Sequence, residues 1–131
     1  MAKKKIEFKI QNYGIYTQWE RGSKALPKIK KITTVIPAAL DVEFGLILQI
    51  KGGKGLCLDF EIIHPPFIDL KTGEIAPSFV GQHFVNGNDW RFFIGDTFWE
   101  PIEDKIGEWE IIVWSDKKEI VRKKFQVVES E

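Results

Sequence analysis

Apolar residues recur at every second position through much of this chain, most plainly from Asp41 to Ile63. Val42, Phe44, Leu46, Leu48 and Ile50 form one alternating run, and Leu56, Leu58, Phe60 and Ile62 form another. Period two is the side-chain alternation of a strand with one buried face. Between the runs, Lys51 to Gly55 holds three glycines, which supply the positive φ angles of a tight loop. The spacing therefore predicts a β-hairpin over Asp41–Ile63, whose nine inward apolar side chains need a second sheet to cover them.

The same pattern continues in both directions. Ile6, Phe8 and Ile10 predict a first strand, and Tyr13, Ile15, Thr17 and Trp19 continue it in the opposite parity. A change of parity without a turn predicts a bulge or kink around Asn12-Tyr13-Gly14. A strand over Ile32–Ile36 is expected to stop at Pro37, which has no N–H to donate. His64-Pro65-Pro66 breaks the pattern, and a loop is expected from there to Ser78. Strands are predicted over Phe79–Val85 and Trp90–Ile94, around the turn Asn86-Gly87-Asn88-Asp89. Gly95 to Ile106 reads as irregular, with room for one short helical turn.

The chain closes on a hairpin beginning at Gly107, with a two-residue turn at Asp116-Lys117. Trp109, Ile111 and Val113 form its inward set. Pairing Val113 with Ile120 leaves Trp109 opposite Lys124, whereas Trp109 with Phe125 and Gly107 with Val127 is the better match. Both good pairings hold only if one extra residue is absorbed, so a β-bulge is predicted at or beside Arg122–Lys123, keeping Lys123 out of the core. Many short strands with almost no helix predict an all-β sandwich of about seven to nine strands.

Composition narrows the class without naming a function. At 131 residues the chain has the length of one domain, 1–131, with enough apolar content for a core. One cysteine, Cys57, excludes an internal disulfide and points to a reducing, cytoplasmic setting. No apolar run approaches the roughly 20 residues of a membrane-spanning helix, and no secretory h-region follows the first lysines. Zero net charge conceals a split: residues 1–54 carry 11 basic and 4 acidic side chains (+7), and residues 55–131 carry 8 and 15 (−7). A basic connector over Arg21–Lys31, near Tyr16 and Trp19, has the ingredients of a single-strand nucleic-acid surface. Overall neutrality argues against it.

Candidate chemistry is sparse. Cys57 and His64 are a nucleophile and a base, yet seven extended residues separate them by about 23 Å at about 3.3 Å per residue. His64 and His83 with Asp59, Glu61 or Asp69 match no metal-ligand spacing. The run Asp96, Glu100, Glu103 and Asp104 is expected to be a solvated acidic loop and not a glycosidase pair. No phosphate-binding or nucleophile-elbow motif occurs. No cofactor and no structural metal are therefore expected.

Aromatic residues are more informative. Trp114 and Ile112 lie on the outward parity of their strand, and Ile47 is outward on its own. Trp99 sits in the acidic loop. These four form the candidate interaction surface, for a partner or a stacked sugar.

Asn12-Tyr13-Gly14-Ile15-Tyr16, the segment from Ile36 to Gly45, His64-Pro65-Pro66 and the closing Gly107, Trp109, Phe125 and Val127 together carry a resemblance. In these features, over nearly its whole length, the chain resembles a family of small bacterial proteins defined as a domain of unknown function. The resemblance implies an immunoglobulin-like antiparallel β-sandwich and brings no catalytic residue with it. Two immunoglobulin hallmarks are missing, the paired cysteines and a tyrosine corner. The reading that follows is a non-catalytic binding or interaction module in the cytoplasm that self-associates as a homodimer through Trp114 and Ile112. A carbohydrate or small-ligand binder using Trp99 and Trp114 is the second reading, and an enzyme the third.

Overall fold

The computed structural model describes residues 5–17 and 26–130. Trp19 and residues 21–25 of the basic connector lie outside them. The described residues form nine strands and one short turn: β1 (Glu7–Tyr16), β2 (Ile29–Ile32), β3 (Val35–Ala38), β4 (Glu43–Lys51), β5 (Cys57–Ile63), β6 (Phe79–Phe84), β7 (Asp89–Thr97), a 3-10 turn (Glu103–Lys105), β8 (Gly107–Ser115) and β9 (Lys118–Glu129). They build one sheet in the order β2-β1-β4-β7 and a second in the order β3-β9-β8-β5-β6. Strand β3 pairs in parallel with β9, and the other pairings are antiparallel. This is the immunoglobulin arrangement, with β4 and β7 together in one sheet and β9, β8 and β5 consecutive in the other. Among the described residues, no helix is long and apolar enough to cross a membrane.

The two alternating runs of Asp41–Ile63 are strands, as their period requires, but they are not a hairpin. Strand β4 pairs with β1 and β7, and β5 pairs with β6 and β8. The Gly-rich loop carries the chain from one sheet to the other, so the two apolar sets face each other across the core. Alternation alone fits either arrangement, because both bury one face of each strand. A second crossing, from β6 to β7, lies beside the first. The two loops are joined by hydrogen bonds from Gly52 N to Asn88 O and from Gly55 N to Val85 O, each 2.8 Å.

The core is built on β4, whose Phe44, Leu46, Leu48 and Ile50 are fully buried. Phe44 meets Trp109 edge-on at 5.2 Å between ring centroids and Phe125 at 5.6 Å. The Trp109 contact links β4 to β8 where immunoglobulin domains place their inter-sheet disulfide. Burying side chains of this size contributes roughly 1.5–3 kcal/mol each. The outer face of β4 is buried as well. There Tyr16, Ile47 and Phe93 form a second cluster with Leu26 and Ile29.

The local expectations hold in part. The bulge in β1 is present, with the register slipping between Ile10 and Asn12. The bulge in the last hairpin falls at Ile120, nearer the turn than Arg122–Lys123, because Val113 pairs with Val121 and Trp114 with Glu119. Lys123 accordingly stays on the inward parity of Val121, Phe125 and Val127. It escapes the core at its tip, with its ammonium 3.8 Å above the Tyr13 ring. Pro37 does not end its strand; it lies within β3, an edge strand that can spare one N–H.

Gly14, Gly45 and Gly95 are register partners across β1, β4 and β7. Gly45 has φ +152°, and a Cβ there would lie 2.1 Å from the Ile94 carbonyl oxygen. Gly55 has φ +95° but open space around it. Gly45→Ala is therefore expected to cost more than about 2 kcal/mol or to prevent folding, against about 1 kcal/mol for Gly55→Ala. Urea titration of the two variants measures this, and equal losses would contradict the close approach of β4 and β7.

Candidate functional site

On one side of the sandwich, β6 and β7 are both edge strands, and the sheets stand open between them. The gap is a cleft of about 690 Å³, within the range of small-ligand sites. Phe60, Phe79 and His83 line it from one sheet and Phe92, Ile94 and Asp96 from the other, with Trp99 beside them.

His83 bridges the two strands. Its ring stacks on Phe92 at 4.0 Å, 6° from parallel, and Trp90 Nε1 donates to its Nε2 over 2.8 Å. Because Nε2 accepts, the imidazole hydrogen belongs on Nδ1. Burial disfavours the charged ring and holds its pKa below the ordinary histidine value. His83 is thus a neutral, half-buried tie between the sheets. Gly81 leaves space that the Phe60 ring occupies, since a Cβ at Gly81 would come within 2.6 Å of that ring.

Trp99 belongs to a second constellation. Lys105, at the end of the 3-10 turn, is only 1% exposed. Its ammonium donates to the Pro101 carbonyl at 2.8 Å and to the Asp104 carboxylate. It also lies 4.5 Å from the ring centroids of both Phe67 and Trp99. Two aromatic faces and two oxygens replace the water this charge has lost. The clasp pins the 64–78 loop, through Phe67, to the loop carrying Trp99. Trp109 fastens it to the core by donating from Nε1 to the Lys105 carbonyl at 2.8 Å. Sequence pattern offered no sign of this lysine, which sits among acidic residues expected to be solvated.

The remaining candidates separate. Trp99 is 37% exposed at the cleft. Trp114 is half-buried and borders another, shallower depression with Asp59, Glu61 and Val80. Ile47 and Ile112 are each 3% exposed and form no outer surface. Ile47 is covered by Tyr16, Phe93 and the 26–29 segment. Ile112 lies between its ladder neighbours Arg122 and Glu61, on the same face as their long side chains. That face is charged: Arg122 pairs with Glu110 and Glu119, both at 2.6 Å.

The polar residues weighed for catalysis or metal binding have other occupations. Cys57 is exposed at the start of β5, while both ring nitrogens of His64, beyond its far end, contact carbonyls, Pro65 O at 2.8 Å and Pro77 O at 2.7 Å. Asp59 accepts from Gln82, Glu61 from Ser78, and Asp69 from the Lys71 amide. Among the described residues, no three His, Cys, Asp or Glu side chains gather as a metal site.

Fold and cleft together define an immunoglobulin-like β-sandwich open along one side. Residues 4–127 match DUF3859, a domain of unknown function, and the chain belongs to that family. Among solved structures it is similar to an immunoglobulin-like protein from Pseudomonas aeruginosa. The two share 23% identity and superpose with a TM-score of 0.72 over 93% of this chain and 97% of that one, which shows the fold. No curated protein matches the sequence.

Two outcomes follow from this geometry. Lys105→Met should lower stability by about 2–4 kcal/mol, because it removes two hydrogen bonds and two cation–π contacts. Lys117→Met, on the exposed turn, should stay within about 0.5 kcal/mol of wild type in the same chemical denaturation. For His83 the folded pKa lies below the unfolded one, so the unfolded chain binds the proton first. Its contribution is present above the ordinary histidine pKa near 6.5 and is lost as pH falls below it. Melting temperature should fall less between pH 7.5 and 5.5 in His83→Phe than in wild type; parallel curves would contradict a buried neutral ring.

Proposed function

We propose that the protein is a non-catalytic binding module that holds its ligand in the cleft between β6 and β7. The cleft itself carries this reading: it has the size of a small-ligand site, aromatic walls and few polar groups. Its titratable groups do not form a nucleophile–base pair, since the Nε2 of His83 is occupied by Trp90. Asp96 adds a carboxylate to the otherwise apolar β7 wall.

Trp99 favours a carbohydrate or another ring-bearing ligand, because an exposed indole stacks on a flat apolar ring face. The Lys105 clasp fixes that indole in place, so little ordering is needed on binding. The lone exposed thiol of Cys57 suits a reducing, cytoplasmic setting.

Thermal-shift titration with mono- and disaccharides, nucleosides and aromatic amino acids tests the reading. One class should raise the melting temperature in proportion to the logarithm of its concentration above Kd. Trp99→Ala should abolish that rise, and Trp114→Ala should keep it. Retention of the full rise in folded Trp99→Ala would contradict the assignment.

A further inference from the structure

Among the described residues the two sheets end in four edge strands, β2 and β7 in one and β3 and β6 in the other. An edge strand exposes unpaired N–H and C=O groups, and soluble proteins defend such rows with charge, proline or bulges. Three of these edges carry such defences. Strand β2 carries Lys30 and Lys31, β3 contains Pro37, and β7 carries Asp89, Arg91 and Asp96. Strand β6 carries none. Its sequence, Phe79-Val80-Gly81-Gln82-His83-Phe84, has no charge and no proline, and it pairs with β5 without a bulge. Its outward side chains include Val80, 75% exposed, and Phe84, 54% exposed.

We propose that β6 pairs antiparallel with β6 of a second copy of this chain, about a two-fold axis through Gln82. The register follows from the residues. A two-fold at Gln82 sets Val80 opposite Phe84 of the other copy, twice, and Gln82 opposite its own counterpart. All three pairs lie on one face, because strand parity is preserved about a central residue. Aromatic against β-branched is a favourable cross-strand pair, and two side-chain amides can hydrogen-bond to each other. A two-fold at Gly81 would instead oppose Val80 to Gln82 and leave Phe84 facing Ser78. Self-pairing also brings no like charges together along the seam, since β6 has none, and His83 keeps its ring neutral by facing Trp90.

A closed two-fold contact of this kind consumes both bare edges and leaves no new one. It joins the two five-stranded sheets into one of ten strands and sets the two clefts side by side. One six-residue seam is small, below the roughly 1,200 Å² of stable interfaces, so the dimer is a weak one that forms at micromolar concentrations and above. This inference does not depend on what the cleft binds.

Sedimentation equilibrium between 10 and 500 µM tests it, with Val80→Lys as the variant and circular dichroism confirming that both proteins are folded. Wild type should pass from monomer toward dimer, and Val80→Lys should remain monomeric. Gln82→Cys in a Cys57→Ser background should give a covalent dimer on mild oxidation, and Lys118→Cys in the same background should not. A wild type monomeric at 500 µM overturns the proposal, as does a folded Val80→Lys that still dimerises. A dimer that Gln82→Cys fails to trap, or traps no better than Lys118→Cys, overturns the register and with it the proposal.

Discussion

Every backbone amide at the rim of a sheet needs a partner, water or a means of deterring the wrong partner, and that requirement shapes this protein more than any single side chain. Along one side the sandwich meets it within the chain: β2 and β3, with their lysines and proline, lie on that margin. Along the other it does not. Strands β6 and β7 end their sheets with the layers parted, and His83 reaches across to Trp90 and Phe92. The cleft and the bare β6 edge are two consequences of that one opening, the first facing between the sheets and the second facing outward.

The rest of the molecule keeps the opening from collapsing. Strand β4 is buried on both faces, by the main core on one and, on the other, by Tyr16 and Phe93 packed around Ile47. Tyr16 shows how complete that second burial is: its hydroxyl donates to Asn12 at 2.6 Å, and burial raises its pKa above the ordinary tyrosine value. At the rim, the Lys105 ammonium takes the place that a small cation would hold between two aromatic faces. A buried charge without such partners would cost several kcal/mol, so this arrangement holds as a unit or not at all. Trp99 is thereby rigid on one side and free on the other.

Much of the fold was legible because strand periodicity is a local property. The inward sets of β4, β5 and β8, the β1 bulge, the turn at Asp116-Lys117 and the pairings Trp109–Phe125 and Gly107–Val127 all appear as read. Which strands pair is not local. A Gly-rich loop serves a hairpin or a sheet crossing equally well, and alternation is identical in both. Parity failed at Ile47 and Ile112 for a related reason: it reports which side a residue faces and not what covers that side. Of the candidate site, Trp99 was legible as an aromatic in a polar loop. The Lys105 clasp was not, because Phe67, Trp99 and Lys105 are scattered over nearly forty residues and meet only once the sandwich is closed.

If β6 is the edge left open for contact, amide hydrogen exchange should show it. The same protein should be followed at about 5 µM and at about 500 µM, strand by strand. Protection of the edge-facing amides of Phe79–Phe84 should increase with concentration, while those of β2, β3 and β7 stay as they were. Exchange in β6 that is equally fast at both concentrations, or new protection appearing on β8 around Ile112 and Trp114 instead, would contradict it.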